Sequence, residues 1–181
     1  MRRGLIIIGL LLASSVPAAA KKGTLWRIPT DFATIQAAID SPLVVDGDTL
    51  RVRSGTHFGA TLTKRLVIQG EGHAVIDDGP LHPAGLTYGI HVTTGGGGST
   101  IKNLTFDGLD LAVYVREQDG VTVEHCEFLS PIQGVTSWGG SDGDFSHNRF
   151  EDLRSCNGGF LALRVGDDQE DGSEQGGEWH E

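Results

Sequence analysis

A chain of 181 residues, 38% of them hydrophobic and 21% charged, holds enough apolar material for one domain with a real core. Its formal charge of −10 would repel phosphate backbones, which argues against nucleic acid as the main partner.

The opening residues, MRRGLIIIGLLLASSVPAAA, set Arg2 and Arg3 before an apolar run from Leu5 to Leu12, with Pro17 and an A-x-A site at Ala18 and Ala20 behind it. This is the pattern of a secretory signal over residues 1–20, and its apolar core is too short to span a bilayer. No later stretch is long and apolar enough for a membrane span, and no cysteine follows the small residues to carry a lipid anchor. The expectation is an extracytoplasmic product, secreted or periplasmic. Removal of Arg2 and Arg3 with the leader leaves a charge of −12.

IPTDFATIQAAID, residues 28–40, carries helix signals: Asp31 or Thr34 as cap, then Ile35, Ala38 and Ile39 on one face. So short a helix is marginal alone and makes sense as a lid over the first strands, where it shields open edges.

From residue 101 the chain repeats. IKNLTF (101–106), VEHCEF (123–128) and FSHNRF (145–150) are spaced by 22 residues, aligning Ile101, Val123 and Phe145, then Leu104, Cys126 and Asn148, then Phe106, Phe128 and Phe150. Between them lie GIHV, AVYV, GVTS and FLALRV, separated by turns such as TTGGGGS, EQDG and WGGSDG. Short strands rich in β-branched and aromatic residues at a fixed period predict a coil of parallel strands, each resting on its neighbour, with the three phenylalanines in one internal stack. The fold class read from this pattern is an all-β, right-handed parallel β-helix of about five coils with a short N-terminal capping helix, over residues 21–165. GDDQEDGSEQGGEWHE (166–181) contains no Lys or Arg and is read as an acidic disordered tail.

The opening helix and the following DGDTLRVRSGTHFGATLTKRLVIQGEGHAVID resemble the N-terminal region of right-handed parallel β-helix proteins of the pectin lyase-like superfamily. The matching positions are Asp31, Thr34, Ile35, Gln36, Ala37, Ile39, Gly47, Asp48, Thr49, Gly55, Thr56 and Gly70, while His57-Phe58 replaces the usual tyrosine region. The resemblance implies the fold from about Ile28 to Leu163. It leaves the reaction open, because the fold serves lyases, hydrolases, esterases, epimerases and non-enzymatic proteins.

Polyuronate lyases of the superfamily pair acidic calcium ligands with an Arg or Lys base, and Asp119, Glu124, Glu127, Asp142 and Asp144 with Arg116, Arg149 or Lys102 supply those types. The competing reading makes them solvated turn and strand residues. Hydrolysis needs two carboxylates flanking the bond; Asp77-Asp78 is the one adjacent pair in the repeat region, read as a strand end whose neighbouring side chains point to opposite faces. The esterase signature is missing from GDFSHN.

His125 and His147 share a column with Asn103, one rung apart, close enough to share a Cu or Zn ion in the manner of NosD-like accessory proteins; hydrogen-bonding turn residues are the alternative. Trp138, followed by two glycines, is expected to be more open than the stacked phenylalanines and, with Arg116, is the candidate sugar-binding pair; packing of the indole over the adjacent coil, against Arg116 one repeat earlier, is the alternative. Cys126 reads as a small core residue, with a bridge to Cys156 as the alternative. The repeat stops soon after FLALRV, which suggests self-association through an open C-terminal coil. The functional reading is a secreted, non-catalytic repeat protein for surface assembly or polysaccharide binding, with no cofactor; calcium enters only under the polyuronate lyase alternative.

Overall fold

The structure, a computed structural model, describes residues 23–154 and the strand at 161–166. The leader, Cys156 and the acidic stretch beyond 166 lie outside the described residues. In chain order the elements are β1 (Leu25–Ile28), α1 (Ile35–Asp40), β2 (Thr49–Val52), β3 (Gly55–Phe58), β4 (Ala60–Leu62), β5 (Val67–Gly70), β6 (Ala74–Asp78) and β7 (Tyr88–Val92). They continue with β8 (Thr100–Lys102), β9 (Thr105–Asp107), β10 (Leu111–Arg116), β11 (Thr122–Glu124), β12 (Glu127–Leu129), β13 (Gln133–Trp138), β14 (Arg149–Glu151) and β15 (Leu161–Gly166).

Every ladder between these strands is parallel. They form three sheets in the orders β1-β2-β5-β8-β11, β3-β6-β9-β12-β14 and β4-β7-β10-β13-β15. A parallel bridge from Thr122 to Asp144 adds one more level to the first sheet. The result is a parallel β-solenoid of about six turns, against about five expected.

Alternation fills its centre. Leu50, Ile68, Ile101 and Val123 stack in the first sheet, Ile76, Phe106 and Phe128 in the second, and Ile90, Val113 and Val135 in the third, all fully buried. Phe106, Phe128 and Phe150 form the expected stack, with successive ring centroids 5.1 and 4.7 Å apart. Each fully buried aromatic side chain of this kind contributes about 2–3 kcal/mol. Asn148 ends the Leu104–Cys126 column by a different means: its Oδ1 accepts from the Cys126 amide at 3.0 Å and its Nδ2 donates to the Val123 carbonyl at 2.8 Å. A polar side chain there satisfies main-chain groups of the rung before it.

The third sheet departs from strict alternation. Gly89 and Ile90 are both buried, as are Ala112 with Val113 and Gly134 with Val135. A side chain at Gly89 would lie 2.7 Å from Phe106 and 2.8 Å from Leu109, so the bend there leaves room only for hydrogen. The strand's first residue, Tyr88, is buried as well, and its ring stacks on His91, three positions later.

The helix is the lid the sequence suggests. Thr34 caps it through Oγ1, which accepts from the Ala37 amide at 3.0 Å, and Ile35, Ala38 and Ile39 are buried. Gln36 pairs with β4: its Oε1 accepts from the Thr61 amide at 2.7 Å, and its Nε2 donates to the Thr61 carbonyl at 3.4 Å. These bonds satisfy main-chain groups at the solenoid's first edge.

Candidate functional site

Two outer regions gather the side chains that sequence singled out. The first is the corner between the first and second sheets, where Asn103, His125 and His147 recur with φ of 54°, 54° and 57°. This left-handed conformation turns the chain sharply and is more accessible to Asn and His than to most residues. Two open depressions lie along the corner, one of about 320 Å³ bordered by His73, Asn103, His125 and Glu127, the other of about 440 Å³ bordered by Arg53, Ser54 and Glu71.

The structure brings His125 and His147 together: their rings stack with centroids 4.9 Å apart and planes 26° from parallel. An imidazole binds a metal in its own plane, so the lone pairs of stacked rings do not converge, and a shared ion would require the rings to leave the stack. Among the described residues no group of three His, Cys, Asp or Glu side chains is arranged to hold an ion.

The second region is the outer face of the third sheet. Arg116 and Trp138 are direct register partners on β10 and β13, one rung apart. Arg116 is exposed, with Glu117 at 3.6 Å from its Nε, and Trp138 is half-buried.

Next to this pair stands a cluster that sequence reading missed. Tyr88 stacks on His91 at 4.7 Å and on Tyr114 at 5.4 Å, His91 lies 5.4 Å from Tyr114, and His82 meets Tyr88 edge-on at 5.4 Å. The signal for two of them lay in strands already recognised as repeats: His91 and Tyr114 occupy the same place in GIHV and AVYV, and are register partners. His82 carried no signal, because it sits in a connection between β6 and β7 that breaks the period.

The cluster is partly withdrawn from water. Burial, together with the neighbouring Tyr114, raises the Tyr88 phenol above its ordinary pKa. Burial first, then the charges of Arg116 and His82, hold the His91 imidazole below its ordinary range. His91 Nε2 is buried with no hydrogen-bond partner among the described residues.

No protein-family model matches the chain, and no curated protein or solved structure is significantly similar to it. Function therefore has to be argued from these side chains.

The acidic residues considered for calcium are dispersed and largely engaged. Glu124 pairs with Lys102 at 3.4 Å and Glu127 with Arg149 at 3.3 Å, one rung apart in each case. Asp119 accepts from the Ser141 amide at 2.8 Å and its hydroxyl at 2.9 Å, and the amide bond in particular holds its carboxyl below the usual range. Asp77 and Asp78 are both exposed at the end of β6, where the β3–β6 register shifts at His57/Phe58. Burial pushes the Cys126 thiol up to about 12, which keeps it protonated and makes it the small core residue that the repeat pattern implied. Its candidate partner, Cys156, lies outside the described residues.

Proposed function

We propose that this chain is a secreted, non-catalytic β-solenoid that binds polysaccharide on the outer face of its third sheet, centred on Arg116 and Trp138. The observation that carries the reading is their register pairing, which presents an indole and a guanidinium on adjacent rungs. An indole offers an apolar surface to the C–H face of a sugar ring, while a guanidinium offers donors to hydroxyl or carboxylate oxygens. Tyr114, half-buried and one position before Val115 on the same strand, continues the surface. The resemblance of the opening helix and first strands to the pectin lyase-like superfamily, and the leader-like residues 1–20, point in the same direction. Phe145 and Phe150, only half-buried where Phe128 is fully buried, support self-association at the C-terminal end of the solenoid as an accompanying property.

Affinity electrophoresis of the purified chain against a panel of neutral and acidic polysaccharides tests this. At least one polymer should retard the parent, and Trp138→Ala with Arg116→Ala should abolish the retardation while leaving the far-UV circular dichroism unchanged. Release of unsaturated products in the presence of calcium would replace the binding reading with the lyase alternative.

A further inference from the structure

The connection between β6 and β7, residues 79–87, folds back on itself over the third sheet. An antiparallel bridge joins Leu81 to Thr87, the His82 amide donates to the Leu86 carbonyl at 2.7 Å, and the Gly85 amide donates to the His82 carbonyl at 2.8 Å. At its far end Thr87 is tied down, its amide and hydroxyl donating to the Asp110 carboxylate at 2.9 and 3.1 Å. Between these points the His82 ring lies edge-on to Tyr88 and Tyr114, at 5.4 and 6.4 Å.

Next to this ring contact is His91, whose buried Nε2 has no partner among the described residues. An unpaired buried nitrogen is already unfavourable; a protonated imidazole there would bury an unpaired charged donor, which costs considerably more. Among the described residues, the groups that face His91 offer it no carboxylate. They are Tyr88 on its own strand, Tyr114 and Arg116 from β10, and His82 from the connection. On the β4 side its register partner is the uncharged Thr61, whose main chain is bonded to Gln36, and Gln36 in turn donates to Asp40.

His82 ties the connection to this face: its Nδ1 accepts from the Ala84 amide at 3.0 Å while its ring meets Tyr88 and Tyr114. In acid, a proton on His91 places a second cation beside Arg116, next to that ring contact.

We propose that residues 79–87 are a pH-released cover: protonation of His91 lifts the connection and bares the Tyr88–His91–Tyr114 face, which extends the sugar-binding surface beside Arg116 and Trp138. The second half of this inference rests on the binding function proposed above; the first does not. The depressed basicity of His91 sets the direction. The closed form is fully favoured above the ordinary histidine value of about 6.5 and loses ground as the pH falls below it.

Hydrogen exchange of the full chain at about pH 7.5 and about pH 5, corrected for intrinsic rates, tests the cover. The amides of His82, Gly85 and Tyr88 should lose protection severalfold at the lower pH. Those of Val113 and Val123 should keep theirs, and His91→Phe should keep the connection protected at both. Equal protection of the parent at the two pH values, or an equal loss in His91→Phe, would overturn the cover. His91→Gln, neutral and polar, takes the place of the phenylalanine variant if that variant loses its circular dichroism spectrum. Polysaccharide binding measured on the same samples separates the two halves: release without a gain in binding overturns the extended sugar surface alone.

Discussion

Asn148 shows how one residue can end a column. Its side chain satisfies the Cys126 amide and the Val123 carbonyl, so Asn148→Ala should strip both of partners and cost about 1–3 kcal/mol, read as a lower urea midpoint at unchanged m-value. The sequence showed that Asn148 stood in the place of Leu104 and Cys126, but not that its amide would bond to the main chain of the rung before. That depends on side-chain direction, which a column alignment does not carry. His91 gives a second prediction. Its folded-state pKa lies below the unfolded one, so the unfolded chain holds the extra proton between them; stability is full above about pH 6.5 and declines as the pH falls. Unfolding in urea at neutral and mildly acidic pH should show a drop in midpoint for the parent that is smaller for His91→Phe. An equal drop in both would show that His91 is not the source.

At the scale of elements, the capping helix was legible almost residue by residue, because a cap and an apolar face of period 3.6 are local signals. Thr34→Ala should cost about 1 kcal/mol of stability, measured by denaturant unfolding, since it removes the Thr34 Oγ1 that accepts from the Ala37 amide. The strands were equally legible from Ile101 onward, where the 22-residue spacing holds. Two features were not. The paired burial of Gly89 with Ile90, Ala112 with Val113 and Gly134 with Val135 breaks the alternation that a strand pattern implies, with Tyr88 stacked on His91, and the connection at 79–87 obeys no period at all. Both bear on the site, which is why Arg116 and Trp138 could be paired from spacing while His82, Tyr88 and Tyr114 were overlooked. The histidine column was found for a similar reason, since Asn103, His125 and His147 recur at the period. Their left-handed turns, however, account for that recurrence without any ligand.

For the whole molecule, the charge of −10 gives a poor picture of the surface. Arg27, Arg51 and Lys102 share one outward column of the first sheet with Gln69 and Glu124, and Arg116 stands exposed on the third. Net charge excludes partners only on average; local faces decide contacts. Light scattering over a range of concentrations should reveal growing association if the half-buried Phe145 and Phe150 mark a surface for a second copy, and a strict monomer throughout would contradict that reading. The central claim, however, is that the face holding Arg116 and Trp138 binds sugar. It is tested most directly by following the indole Nε1–H resonance of Trp138 in a ¹H–¹⁵N spectrum while oligosaccharides of the retarding polymer are added. The account predicts saturable shifts at Trp138, Arg116 and Tyr114 with His125 and His147 unmoved. Shifts confined to the His125–His147 corner, or none at Trp138, would contradict it.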